Sequence, residues 1–176
     1  MIWLYILLAM LLVISPVMWL KPSPRQKRVA ALRQAAMQHG VKVTLKRPPL
    51  HDDKVPMPAY RWHYPVQRPG PDFTLVRETH AAAALKPFTH DWRWRTEPLR
   101  PLPEPLAARL KALLERLPQD ALVVESDPRA LTLWWGESQG FARFSTYLPD
   151  FEALRDGLAG RPDDPGVSGP PAPPPG

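Results

Sequence analysis

The spacing of hydrophobic positions changes several times along this chain. Residues 1–20 (MIWLYILLAMLLVISPVMWL) carry no charged side chain. Such a run predicts one apolar helix about 30 Å long, the thickness of a bilayer's hydrocarbon core. From residue 21 the pattern becomes amphipathic: Ser23-Pro24 is a helix start and Gly40 a stop, and Val29, Leu32 and Ala36 make a thin apolar stripe over 24–39. After Gly40, apolar and polar residues alternate. That period of two predicts strands over 41–46, 59–66 and 73–79, with Trp92-Arg93-Trp94-Arg95 as a fourth. A proline-dense stretch at 98–105 leads into a helix whose Leu106, Leu110, Leu113, Leu114 and Leu117 share one face. Candidate strands at 122–125, 131–135 and 141–145 follow, then a last helix over 149–159 presenting Phe151, Leu154 and Leu158.

These elements predict an α+β fold in four parts: a single transmembrane helix at 1–20, a basic juxtamembrane helix at 21–40, a small, mostly antiparallel sheet domain with two packed helices at 41–160, and a disordered tail at 161–176. The tail has seven prolines and three glycines in its 16 residues and nothing from which to build a core. The whole chain has 25 prolines, where average usage gives about nine, so short punctuated elements are expected. It has no cysteine, which excludes disulfides, thiolate metal sites and cysteine nucleophiles.

The formal charge of +6 is unevenly placed. Residues 1–51 hold eight Lys or Arg and no acid, whereas the rest carries 15 basic and 17 acidic groups. The basic character therefore belongs beside the apolar run. No Lys or Arg precedes that run and no small-residue cleavage site ends it, so it reads as an anchor, not a cleaved signal. The positive-inside rule then sets the N-terminus outside and the body in the cytoplasm, as a single-pass protein of the cell membrane, the inner membrane in a bacterium. Trp3, Tyr5 and Trp19 fit the two membrane interfaces, and Lys21, Arg25, Lys27, Arg28 and Arg33 are placed to meet anionic headgroups of the bilayer.

One stretch, LTLWWGESQG at 131–140, spells G-x-S-x-G, the spacing at which α/β-hydrolases hold a nucleophilic serine. In that fold the order is serine, acid, histidine, and no histidine follows Ser138. With a strand expected from Phe141, GESQG reads as a hairpin loop with glycine supplying positive φ, leaving Trp134 on the strand face opposite Leu131, Leu133 and Trp135. No catalytic residue is assigned. The five histidines show no metal-ligand spacing, so no metal and no cofactor are expected.

Tyr60-Arg61-Trp62-His63-Tyr64 and Trp92-Arg93-Trp94-Arg95 mix aromatic and basic residues as single-strand nucleic-acid platforms do. Alternation on a strand, however, sends the aromatics to the core face and the basic groups to the other, and the body is near neutral, which disfavours nucleic acid. Trp134, Arg61, His63, Arg93 and Arg95 are left as a candidate surface for a protein partner.

The order of apolar span, Lys21-Pro22, Arg25-Gln26-Lys27-Arg28, short helix and Gly40-x-Lys42-Val43 resembles the YajC-type small accessory subunits of the bacterial preprotein translocase. The resemblance covers residues 4–45 and implies a single N-terminal anchor, a basic segment, a helix and a small cytoplasmic β domain, with no functional residue carried over. The expected function is thus a membrane-anchored binding or scaffolding protein, an accessory subunit of a membrane complex. A membrane-tethered serine hydrolase using Ser138 is the alternative, and a nucleic-acid-binding module a less specific one.

Overall fold

In the computed structural model, residues 1–19, 21–50 and 54–163 are described. In chain order they form α1 (Ile2–Trp19), α2 (Pro24–Gln38), β1 (Lys42–Lys46), β2 (Met57–His63), β3 (Phe73–Arg77), a 3-10 turn (Glu78–His80), β4 (Pro87–Thr89), β5 (Trp92–Thr96), α3 (Glu104–Arg116), β6 (Ala121–Ser126), β7 (Ala130–Trp135), α4 (Phe141–Phe144) and α5 (Leu148–Leu158). All seven strands join one sheet in the order β1-β2-β7-β6-β3-β5-β4, and every pairing is antiparallel. The α+β class and antiparallel pairing match the sequence pattern.

Alternation along the strands gives the sheet two unlike faces. Tyr60, Trp62, Leu75, Trp92, Trp94, Leu131, Leu133 and Trp135 point to a helical face, where they pack with Leu32 and Ala36 of α2, Leu110, Leu113 and Leu114 of α3, Phe144 of α4, and Phe151, Leu154 and Leu158 of α5. Trp62 stacks on Phe151 with ring centroids 4.1 Å apart and planes within 7°. Phe144 touches the rings of Tyr60, Trp62 and Trp135, so this four-residue helix plugs the centre of the layer. The second face carries a smaller cluster, Ala59, Val76, Leu122, Val123 and Trp134, against which Leu50, Met57 and Ala81 pack.

Helix α2 begins with a full capping box: the Gln26 N–H donates to Ser23 Oγ, and Gln26 Oε1 accepts the Ser23 N–H. It ends at Gly40, whose φ of +78° suits a residue without Cβ, and the Val41 N–H returns to the Ala36 carbonyl. Arg33 on its buried side makes a two-pronged ion pair with Glu137, Nε to Oε1 at 2.6 Å and Nη2 to Oε2 at 2.7 Å. The Tyr60 hydroxyl donates to the same Oε1 at 2.8 Å. The hydrogen bond to Glu137 raises the pKa of Arg33 against the opposing effect of burial, and burial, joined by the nearby Glu137 charge, pushes the Tyr60 hydroxyl well above its ordinary value.

Three sequence expectations are corrected here. Among the described residues no helix is long and apolar enough to cross a membrane. The transmembrane helix at 1–20, the single-pass cell-membrane location and the N-out, cytoplasmic-body orientation built on it are withdrawn. Trp3 and Tyr5 are exposed on α1, and the side chain of Trp19 lies outside the described part. The second correction concerns α2, which belongs to the core layer and is no mere basic flank. Lys21, Arg25, Lys27 and Arg28 are exposed, but Arg33 turns inward to Glu137.

The third correction is the strand expected at 141–145, which is helix α4. Phe141 and Phe144 are three residues apart, the helical spacing, and the apparent alternation of FARFS concealed it. Strand β4, only three residues long with Pro87 at its start, had no readable period. Of the expected tail, 164–176 lies outside the described residues, as do 51–53.

Removing one member of a buried ion pair strands the other. Arg33→Ala is expected to lower unfolding stability by about 3 kcal/mol, and Arg28→Ala on the exposed side by under ~0.5 kcal/mol, as read by urea denaturation of the full chain.

Candidate functional site

The GESQG segment has an answer in geometry. β7 runs through Trp135 into it and α4 leaves it, so the strand-turn-helix context of a nucleophile elbow is present, contrary to the hairpin expected from sequence. The chemistry is a clamp. Gly136 sits so close to Asp120 that a Cβ would lie 2.8 Å from Oδ2. The left-handed conformation falls on Glu137, at φ 57°, not on either glycine or on Ser138. Ser138 Oγ donates to Asp120 Oδ1 at 2.7 Å, and its N–H donates to Oδ2 at 3.0 Å. Gln139 Oε1 accepts from the Tyr147 hydroxyl, and Gly140 caps α4. The hydroxyl that would have to attack a substrate is thus bonded to a carboxylate, and among the described residues no histidine is its partner.

A cleft of about 240 Å³ lies on the second face, bounded by Lys46, Arg47 and Pro49 above and by Ala59, Arg61, Glu125, Asp127, Thr132 and Trp134 below. The loop that leaves β1 crosses this face as its roof, and Arg95 of β5 donates to the Pro49 carbonyl to fix it there. Trp134 is 6% exposed, and its indole N–H donates to Glu125 Oε2 at 3.1 Å. Burial raises the pKa of Glu125, and the Trp134 hydrogen bond opposes that rise. Arg61 pairs with Asp127 at 2.9 Å, while Asp127 Oδ1 also accepts the N–H groups of Arg129 and Ala130, tying the β6–β7 turn.

Strand register adds a second feature beside the cleft. Lys42 stands directly across from Arg61, and His63 lies two residues further along the same face of β2. Like charges opposite one another on a sheet are unfavourable. The pKa of His63 is lowered first by burial and then by the Arg61 and Lys42 charges.

Of the five residues expected at a partner surface, Trp134 and Arg61 meet in the cleft, whereas His63 is exposed on β2 and does not line it. Arg93 and Arg95 share the face but serve the fold: Arg93 holds Glu78 and the Ala83 and Leu85 carbonyls, and Arg95 holds Pro49. Sequence reasoning missed Glu125, Asp127 and Lys46. Glu125 was visible as a lone carboxylate in the apolar run ALVVES, but only its register opposite Thr132 of β7 places it under the indole. Among the described residues, no group of three or more histidines and acids is placed to hold a metal ion.

Comparison with protein-family models, with curated proteins and with solved structures returns no match. The site therefore stands on its own geometry, and no residue role is transferred to it.

The folded chain holds the Glu125 proton more tightly than the unfolded chain, so this residue's contribution is most favourable below the ordinary carboxylate value of 4.5 and is lost as pH rises through the higher folded value. Glu125→Gln is expected to raise the unfolding midpoint at pH 7, with the gain shrinking as the pH falls through the raised folded value and gone below 4.5. Thermal unfolding of both proteins across that range measures it.

Proposed function

We propose that this chain is a binding or scaffolding protein that receives a protein partner on the second, loop-covered face of its sheet, at the cleft over Trp134. The observation that carries this reading is the cross-strand pair of Lys42 and Arg61 beside that cleft, two cations held opposite each other on neighbouring strands. In the free chain Asp127 offsets the Arg61 charge, which leaves the Lys42 charge for a partner's acidic group to meet. The Trp134 indole, 6% exposed and bonded to Glu125, forms the buried floor of that cleft. Ser138, bonded to Asp120, supports no hydrolytic role.

A photoreactive amino acid replacing exposed Arg47, in the full chain expressed in its own cells, is expected to capture a discrete protein, whereas the same group replacing exposed Lys111 on α3 is not. Equal products from both positions, or none from position 47, would remove the reading.

A further inference from the structure

We infer that the partner is bound as an added strand: an extended segment pairs with the outer edge of β1, carrying acidic residues opposite Lys42 and Lys46 and apolar residues opposite Val43 and Leu45. This rests on the proposed use of the loop-covered face and names the kind of partner that face accepts.

The two edges of the sheet are built differently. β4 closes one edge with three residues, the first of them a proline, which is a blunted edge. β1 closes the other with five regular residues, paired to β2 alone in unbroken register from Lys42 to Lys46. Every second residue of such a strand turns its N–H and C=O outward. Among the described residues, no backbone group bonds to β1 from that side.

Side-chain alternation along β1 specifies what can lie beside it. Lys42, Thr44 and Lys46 point to the loop-covered face, with the two lysines about 14 Å apart. Val43 and Leu45 point to the helical face, where Val43 packs against the core edge and Leu45 remains 58% exposed. An added strand shows the same alternation, because residues directly opposite share a face. Its complement is therefore acid, apolar, polar, apolar, acid. Arg47 at the strand's end extends the positive charge toward the cleft, while Arg61 on the next strand is paired with Asp127. The same lysines reject a second copy of β1, which would set Lys against Lys, so charge selects against self-pairing and for an acidic segment.

The edge is also held in place. Val41, the residue before β1, bonds back to α2, and α2 is pinned to the sheet by Arg33 and Glu137. A preformed edge spares the partner the ordering cost of its template, so only the added segment loses conformational freedom.

The test titrates the full chain with four short peptides: a Glu-Val-Thr-Leu-Glu core, the same core N-methylated at alternate residues, a Lys-Val-Thr-Leu-Lys core, and a scrambled core of equal charge. The acidic alternating peptide is expected to bind, and the other three at least about tenfold more weakly. Lys42→Glu with Lys46→Glu should reverse the preference toward the lysine peptide, which also shows that the doubly substituted chain is folded. Equal binding of the N-methylated or scrambled peptide would overturn strand addition, as would tight binding of the lysine peptide to the unaltered chain or no binding of any peptide at about 1 mM. Cross-linking from position 47 reads the loop-covered face independently, so its persistence alongside any of these failures removes the strand and keeps the surface.

Discussion

A carboxylate only 3% exposed is the constraint on which the rest of this domain depends. A buried carboxylate needs partners, and Glu137 has two: the guanidinium of Arg33 from α2 and the hydroxyl of Tyr60 from β2. Three distant stretches of chain thus meet at one side chain, which itself occupies a strained backbone conformation. The strain is sustained because the surroundings fix it from every direction. Asp120 holds the next residue, Gly136 leaves room for that carboxylate, and α4 begins at once to bring Phe144 under the sheet. Docking α2 in turn sets the position of β1, and with it the edge of the sheet.

The two faces of the sheet divide the work. The helical face spends its aromatic residues on packing, with Trp62, Trp92 and Trp135 almost wholly buried, and this gives a rigid platform. Among the described residues, the core helices α2, α3, α4 and α5 all pack on that first face. The cover of the other face is the segment after β1, with Pro49 tethered by Arg95, and the polar groups beneath it are paired side by side: Trp134 with Glu125, Arg61 with Asp127. A surface so arranged is ordered before anything binds, while the cations at its rim remain oriented toward solvent. Fold and proposed function are connected here, since the same alternation that buries tryptophan on one side sets lysine and arginine on the other.

Much of this was legible in the sequence because period-two alternation is a strong signal. It predicted strands near β1, β2, β3, β5, β6 and β7, put Trp134 opposite Leu133 and Trp135, and separated aromatic from basic residues on β2 and β5. The helices around Leu110 and Leu154 were legible from their leucine faces. What could not be read depended on pairings between distant segments. Nothing local connects Arg33 to Glu137, 104 positions apart, so Arg33 was grouped with its basic neighbours. The apolar start was read as a membrane span, whereas among the described residues no helix is long and apolar enough to cross one. The G-x-S-x-G spacing was misleading in a different way: the local context of the motif was right, but the serine's hydroxyl answers to Asp120.

The dependence of α2 and β1 on the Glu137 ion pair is most directly tested by residue-resolved amide hydrogen exchange on the full chain carrying Glu137→Gln, compared with the unaltered protein. The account predicts that the amides of Leu32 to Gln38 and of β1 lose protection together, while those of β3 and β6 keep theirs. Unchanged protection in α2 and β1, with loss confined to the turn at 136–140, would contradict it.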